Sequence, residues 1–215
     1  ALYDPAIRQT GELREFLVSD AVGWDAPAGV EAGDSGDFYG VDQHRDRILR
    51  LSPAGKLVRV YPVPRDPEGP QGKVDAFRVC ERTEAFLVIT HAGQLRCIGF
   101  DGAARWSLPV RLGAPWYVNS RAFDVTPDGT TWLLEERADT VRKVGADGQP
   151  AGEVKLDLGP RAPGQGRPWF YCLRVWGDEL FVRHESPTEL FQCYDATTGA
   201  YRRSGFIDHE RLSVS

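Results

Sequence analysis

Apolar residues along the chain come in short runs of about five to seven, often alternating with polar ones, and Asp-Gly, Pro-Asp-Gly or Thr-Gly steps separate the runs. Around residue 130 the pattern predicts four strands, at 121–126, 130–135, 140–145 and 151–157. Pro127-Asp128-Gly129 would turn the first pair and Ala146-Asp147-Gly148 the last. No stretch sustains a helical period with caps, so the chain reads as nearly all-β.

The pattern recurs. Val30 to Gly55 aligns without a gap on Phe123 to Gly148 at an offset of 93. Gly36 then falls on Gly129, Tyr39 on Trp132, Asp42 on Glu135, Asp46 on Asp139 and Gly55 on Gly148. Arg96 to Gly102 forms a third copy, and Leu190 to Gly199 a fourth. The turn glycines step by 46 from Gly102 to Gly148 and by 51 from Gly148 to Gly199. Four antiparallel strands at that period describe a β-propeller blade, whose faces are buried only when blades stack side by side. Four blades are expected at 28–62, 74–109, 119–157 and 169–206. Residues 1–19 with 207–215 would share a fifth, short of strands. The single propeller domain is therefore expected to have about five blades, or to belong to a longer, six-bladed protein. The chain has no Met, so an initiator, a leader or a preceding segment is expected to have been removed.

Two segments resemble NHL-repeat propellers. Gly29-Val30-Glu31-Ala32, Phe38-Tyr39-Gly40-Val41-Asp42, Arg47-Ile48-Leu49-Arg50-Leu51 and Gly55-Lys56 follow most of that repeat, as does the copy from Phe123 to Gly148. Asp128-Gly129-Thr130-Thr131-Trp132-Leu133-Leu134-Glu135 is also similar to the repeat of virginiamycin B lyase propellers. In the other copies the Asp after the second strand is replaced by Thr90 and Arg183. The lyase resemblance implies a Glu and a His at the ends of second strands. Glu135 matches the Glu, but Glu136 stands where the His would follow. Because one scaffold hosts binders, lyases and lactonases, the resemblance implies fold more than activity.

In a propeller, the loops leading into first strands share one face with the loops between second and third strands. The former, at 19–28, 62–73, 109–119 and 159–168, are long and Pro-rich. On or beside them lie Trp24, Trp116, Tyr117, Arg121, Trp169 and Tyr171, a combination of aromatics and Arg enriched in binding hot spots. The second-to-third loops carry His44, His91, Glu135 and His184 at corresponding places. These four are the candidates for metal-assisted lyase or hydrolase chemistry, with a divalent ion as the one cofactor that reading needs. Trp132, aligned with Tyr39, reads instead as packing between blades. Asp42, Asp46 and Asp139 recur with the repeat and read as turn chemistry.

Composition removes other classes. The net charge of −5 gives no basic field for nucleic acid or anionic membranes. No apolar run approaches the roughly 18 residues of a membrane helix. GxSxG, P-loop and GxGxxG motifs are absent, and no motif requires a cofactor. A gluconolactonase-type calcium site needs Asn and Glu ligands around the axis, and the chain has a single Asn, Asn119. Cys80, Cys97, Cys172 and Cys193 lack CxxC spacing. Each pair falls on first and third strands, nearly 10 Å apart, so buried free thiols are expected. The compartment stays open. A protein or peptide partner held on the aromatic–arginine face is the leading expectation.

Overall fold

A computed structural model describes residues 27–42, 46–64, 74–90, 93–110, 122–134, 139–158, 170–184 and 191–205. Their order is strand after strand. β1 (Pro27–Ala32), β2 (Phe38–Asp42), β3 (Arg47–Leu51) and β4 (Leu57–Pro62) form one sheet. β5 (Val74–Cys80), β6 (Ala85–Thr90), β7 (Gln94–Gly99) and β8 (Ala104–Pro109) form the second. β9 (Phe123–Val125), β10 (Thr131–Leu134), β11 (Thr140–Val144) and β12 (Pro150–Lys155) form the third. β13 (Phe170–Trp176), β14 (Glu179–His184), β15 (Phe191–Asp195) and β16 (Tyr201–Gly205) form the fourth.

Every strand lies beside its sequence neighbour, the up-and-down order of a blade. The strands predicted around residue 130 appear as β9–β12, within two residues of the expected ends. Four blades are present among the described residues. The expected fifth, from 1–19 and 207–215, lies outside them.

The turns follow their sequence chemistry. Asp128 Oδ1 accepts from Thr130 N at 3.0 Å, and Asp147 Oδ1 accepts from Gln149 N at 3.0 Å. Gly129 and Gly148, at φ +87° and +82°, supply the left-handed residue each turn needs. Asp195 Oδ1 plays the same part for Thr197 N and Thr198 N, at 2.9 and 2.7 Å.

The residues form two compact units, one up to residue 92 with 96–105, the other 93–95 with 106 onward. In the first, Tyr39, Val41, Ile48 and Tyr61 of the first blade meet Phe77, Phe86, Val88 and Ile98 of the second. Phe86 is the hub, its ring centroid 5.0 Å from that of Tyr61, 4.7 Å from Phe100 and 5.8 Å from Tyr39. In the second unit, Trp132, Leu134, Val141 and Val154 meet Leu173, Leu180, Val182 and Tyr194. Each such side chain contributes about 1.5–3 kcal/mol on leaving water. Trp132 is thus packing between blades, as its alignment with Tyr39 requires.

All four cysteines are free thiols; Cys80, Cys97 and Cys193 are buried and Cys172 is half-buried. Burial pushes the Cys97 thiol up to about 11 and raises that of Cys193. Thiolate is the reactive form. Titration with a disulfide reagent at pH 8 is therefore expected to modify at most Cys172 in native protein, and all four after denaturation. Rapid native reaction of Cys97 would contradict this burial.

Candidate functional site

The face singled out by the sequence is the end of the blades where β2, β6, β10 and β14 finish. Cross-strand register aligns these ends residue by residue. Glu31 lies opposite Tyr39, Arg78 opposite Leu87, Asp124 opposite Trp132 and Arg174 opposite Phe181. Three residues beyond Tyr39, Leu87 and Phe181 stand Asp42, Thr90 and His184, each ending its strand. The residue at that place in the third blade is Glu135, which lies outside the described residues.

This corrects one assignment. The register puts His184, not Arg183, at the Asp42 position, since Phe170 pairs with His184 as Val74 does with Thr90 and Pro27 with Asp42. The three histidines therefore do not share a repeat position. His184 ends a strand, whereas His44 and His91 follow theirs and lie outside the described residues. Trp24, Trp116, Tyr117, Arg121 and Trp169 lie outside them as well. Tyr171 is placed by its backbone alone, as the extra residue of a bulge in β13.

That bulge is repeated. Register shifts occur between Pro27 and Val30 in β1, Val74 and Ala76 in β5, and Phe170 and Cys172 in β13. All three fall in the first strand of a blade, at the end that pairs with the last residues of its second strand. A bulge bends its strand and redirects the side chains beside it, and bulges are enriched beside functional sites.

Beneath this face the described polar residues are bound into the architecture. Asp42 is fully buried and accepts from Arg47 Nε and Nη2 at 3.0 and 2.9 Å. The carbonyl of Asp46 accepts from Val63 N at 2.8 Å, that of Gly93 from Val110 N at 2.8 Å, and that of Asp139 from Leu156 N at 2.6 Å. These recurrent residues close loops, as their recurrence implied. Thr90 differs: it is buried, and its hydroxyl has no hydrogen-bond partner among the described residues. No three His, Cys, Asp or Glu side chains group as a metal site among the described residues.

The opposite ends of the strands carry denser charge networks. In the first unit, Glu81 accepts from Ser35 N at 2.6 Å, Ser35 Oγ at 2.7 Å and Tyr39 Oη at 2.6 Å. Burial opposes ionisation of Glu81, yet these hydrogen bonds hold it below the usual carboxylate range. Burial, and then the bond to Glu81, raises the Tyr39 phenol. In the second unit, Arg203 grips Glu179 through both terminal nitrogens, and Arg202 joins Asp178, Glu179 and Asp195. Hydrogen bonds from Arg203 are the main cause that brings Glu179 from 4.5 down to about 2. Asp128 is lowered by bonds from Thr126 and Thr130. A carboxylate lowered on folding stabilises above its unfolded pKa and loses that contribution as pH falls through its folded value. Denaturant midpoints are therefore expected to hold above pH 5 and to fall between about pH 4.5 and 2, where Glu179 titrates. A midpoint that stays flat through that window would contradict the networks.

Sequence reasoning missed Glu81 and the charged residues of the first strands. The only signal for the latter was the alignment of Glu31 with Asp124 at an offset of 93.

The chain matches virginiamycin B lyase from Staphylococcus aureus at TM-score 0.53 and 16% identity, over 85% of this chain and 56% of that one. It matches BamB from Moraxella catarrhalis at TM-score 0.52 and 17% identity, over 85% and 53%. The chain is a β-propeller. A protein of unknown function from Bacteroides caccae matches at TM-score 0.61 and 11% identity, over 83% of this chain and 66% of that one. This β-propeller thus spans only about half to two thirds of the length of these structures. No protein-family model matches it, and no curated protein does. The NHL-like and lyase-like repeat pattern is consistent with the fold the matches share. No helix among the described residues is long and apolar enough to cross a membrane.

Proposed function

We propose that this propeller is a non-enzymatic, NHL-like binding scaffold or complex subunit that holds a protein or peptide partner on its strand-end face. The observation that carries the reading is the set of three bulges in first strands, two of which, in β1 and β13, adjoin Trp24, Trp169 and Tyr171 in sequence, while Trp116, Tyr117 and Arg121 precede β9. Aromatics and Arg are the side chains that most often dominate binding energy. Among the described carboxylates at this end, Asp42 pairs with Arg47 and Asp139 accepts from Thr140 Oγ1 at 3.3 Å. On this reading the chain acts as one propeller domain of about five blades, with residues 1–19 and 207–215 contributing the fifth. Changing Trp116, Tyr117 and Trp169 together to Ala is expected to weaken partner binding at least a hundredfold, with circular dichroism and unfolding midpoint unchanged. Undiminished binding would reject the assignment.

A second reading rests on Glu135 and His184, which the sequence alignment puts at one repeat position, His184 being the last residue of β14. There, a divalent ion held with His44 or His91 would assist a lyase or hydrolase. Stoichiometric metal in gently purified protein supports this reading, and its absence removes it.

A further inference from the structure

Tyr39, Val41, Ile48 and Tyr61 turn one face of the first blade to the second. Register gives the other face two rows that cross all four strands. One is Val30, Gly40, Leu49 and Val60; the other is Ala32, Phe38, Leu51 and Leu57; neither holds a polar side chain. The first row turns polar in its outer half in later blades: Phe123, Leu133, Arg142 and Glu153 in the third, Leu173, Val182, Gln192 and Ser204 in the fourth. Exposure runs the opposite way. Phe123 and Leu173 are fully buried, whereas Val30 is 56% exposed and Leu57, Val58 and Val60 are 44, 53 and 43% exposed. These are four of the six large apolar side chains exposed among the described residues, and such clustering marks a surface that is covered in use.

Later blades show what covers the matching face: the fourth strand of the blade before. Tyr61 and Val63 share a core with Phe77, and Val154 and Leu156 share one with Leu173. That strand also crosses the next blade's last turn. A Cβ on Gly102 would stand 3.2 Å from Pro62 Cγ, one on Gly148 2.7 Å from Trp106 Cγ, and one on Gly199 closer still to the Lys155 carbonyl. Gly55, at φ +75°, is the equivalent glycine of the first blade, and the residues before that blade, 1–26, lie outside the described ones. Their sequence repeats the fourth strand. Tyr61-Pro62-Val63, Leu108-Pro109-Val110 and Val154-Lys155-Leu156 each begin six residues after a turn glycine, and Phe16-Leu17-Val18 begins five after Gly11. The difference of one is what a bulge adds to β4 and β12. Val18 stands 12 residues before Val30, much as Val63 stands 14 before Phe77 and Val110 13 before Phe123. The middle residue is Leu17 where the others have Pro or Lys, which suits an outer half of Leu49 and Val60 in place of Arg142 and Glu153.

We propose that residues 11–18 of this chain are a fourth strand that covers the outward face of the first blade, with Phe16 and Val18 against Val30 and Leu17 on the Gly55 turn beside Leu57. The face is thereby closed within the chain and is not where a partner or a second copy docks. It is separate from the strand-end face, so the outcome of partner binding there leaves this assignment untouched.

Crosslinking on the full chain tests this. Leu17→Cys with Ala54→Cys is treated with a short bis-maleimide, and bridged peptides are identified by mass spectrometry, which also separates out the native cysteines. A 17-to-54 bridge within one chain is expected, in at least tenfold higher yield than a 17-to-198 bridge in Leu17→Cys with Thr198→Cys, the same turn of the fourth blade. A bridge between chains would show that a second copy sits there, and no bridge or equal yields would show that the segment does not; each overturns the proposal. Hydrogen exchange gives a second reading. Phe16→Asp is expected to lower amide protection at least tenfold in β3 and β4, while Glu15→Ala stays within twofold of the native protein. Unchanged protection in β3 and β4, or the same loss in all sixteen strands, contradicts the cover.

Discussion

Gly199→Ala is expected to unfold the second unit at much lower denaturant, at a cost of at least about 3 kcal/mol. Two causes act together. Gly199 has φ +73°, where a Cβ is strained by itself. A Cβ there would also stand 1.8 Å from the carbonyl oxygen of Lys155 and 2.7 Å from its carbon. Both are backbone atoms, and neither partner is free to retreat. Gly199 N donates to Asp195 O at 2.9 Å and Gly199 O accepts from Asp157 N at 2.8 Å. Gly177→Ala in the same unit is the control: φ is +58°, but nothing lies within 4 Å of its Cβ, so only the conformational cost of about 1 kcal/mol applies. Equal effects of the two substitutions would show that the close approach of Gly199 to Lys155 is not a feature of the folded protein.

Phe86→Ala is expected to cost the first unit about 3–5 kcal/mol by chemical denaturation. Its ring is 1% exposed and touches three other aromatic rings drawn from both blades. Those rings are anchored by Arg50 over Tyr39 and Arg59 over Tyr61, so the cavity would collapse only partly. Folded domains hold about 5–15 kcal/mol in all, so this loss approaches the whole. Val30→Ala, at a side chain 56% exposed, should stay within about 0.5 kcal/mol. A mild effect of Phe86→Ala would mean that the two blades do not share this core.

The blades were legible because their signals are local. Asp128-Gly129 and Asp147-Gly148 encode turns through an aspartate that caps the backbone and a glycine that takes positive φ, with nothing distant involved. Tyr39 and Trp132 were readable as packing because a repeated aromatic on an alternating strand has one face to bury. The assignment of Arg183 failed for a physical reason. The fourth blade has one more residue in its last turn, where Gly199 N bonds to the carbonyl four residues back while Gly55, Gly102 and Gly148 bond three back, so counting from the turn glycine slips by one residue against the ladder. A slip of one sends a side chain to the other face of the sheet. Glu81 was not visible because its partners lie 42 and 46 residues away, a separation no local pattern reports. The loops bearing Trp24, Trp116, Tyr117 and Trp169 could be read by composition only, since they carry no repeat to align, and they lie outside the described residues.

The strand-end face as the place of partner binding is tested most directly by photocrosslinking in the cells that make the protein. A photoreactive phenylalanine analogue is placed in turn at Tyr171 and Trp176, which sit at opposite ends of β13. Five residue steps along the strand separate them, about 17 Å. The account predicts one discrete adduct from position 171, lost when Trp116 and Trp169 are changed to Ala, and none from position 176. An adduct from 176 alone, or equal adducts from both, would contradict it.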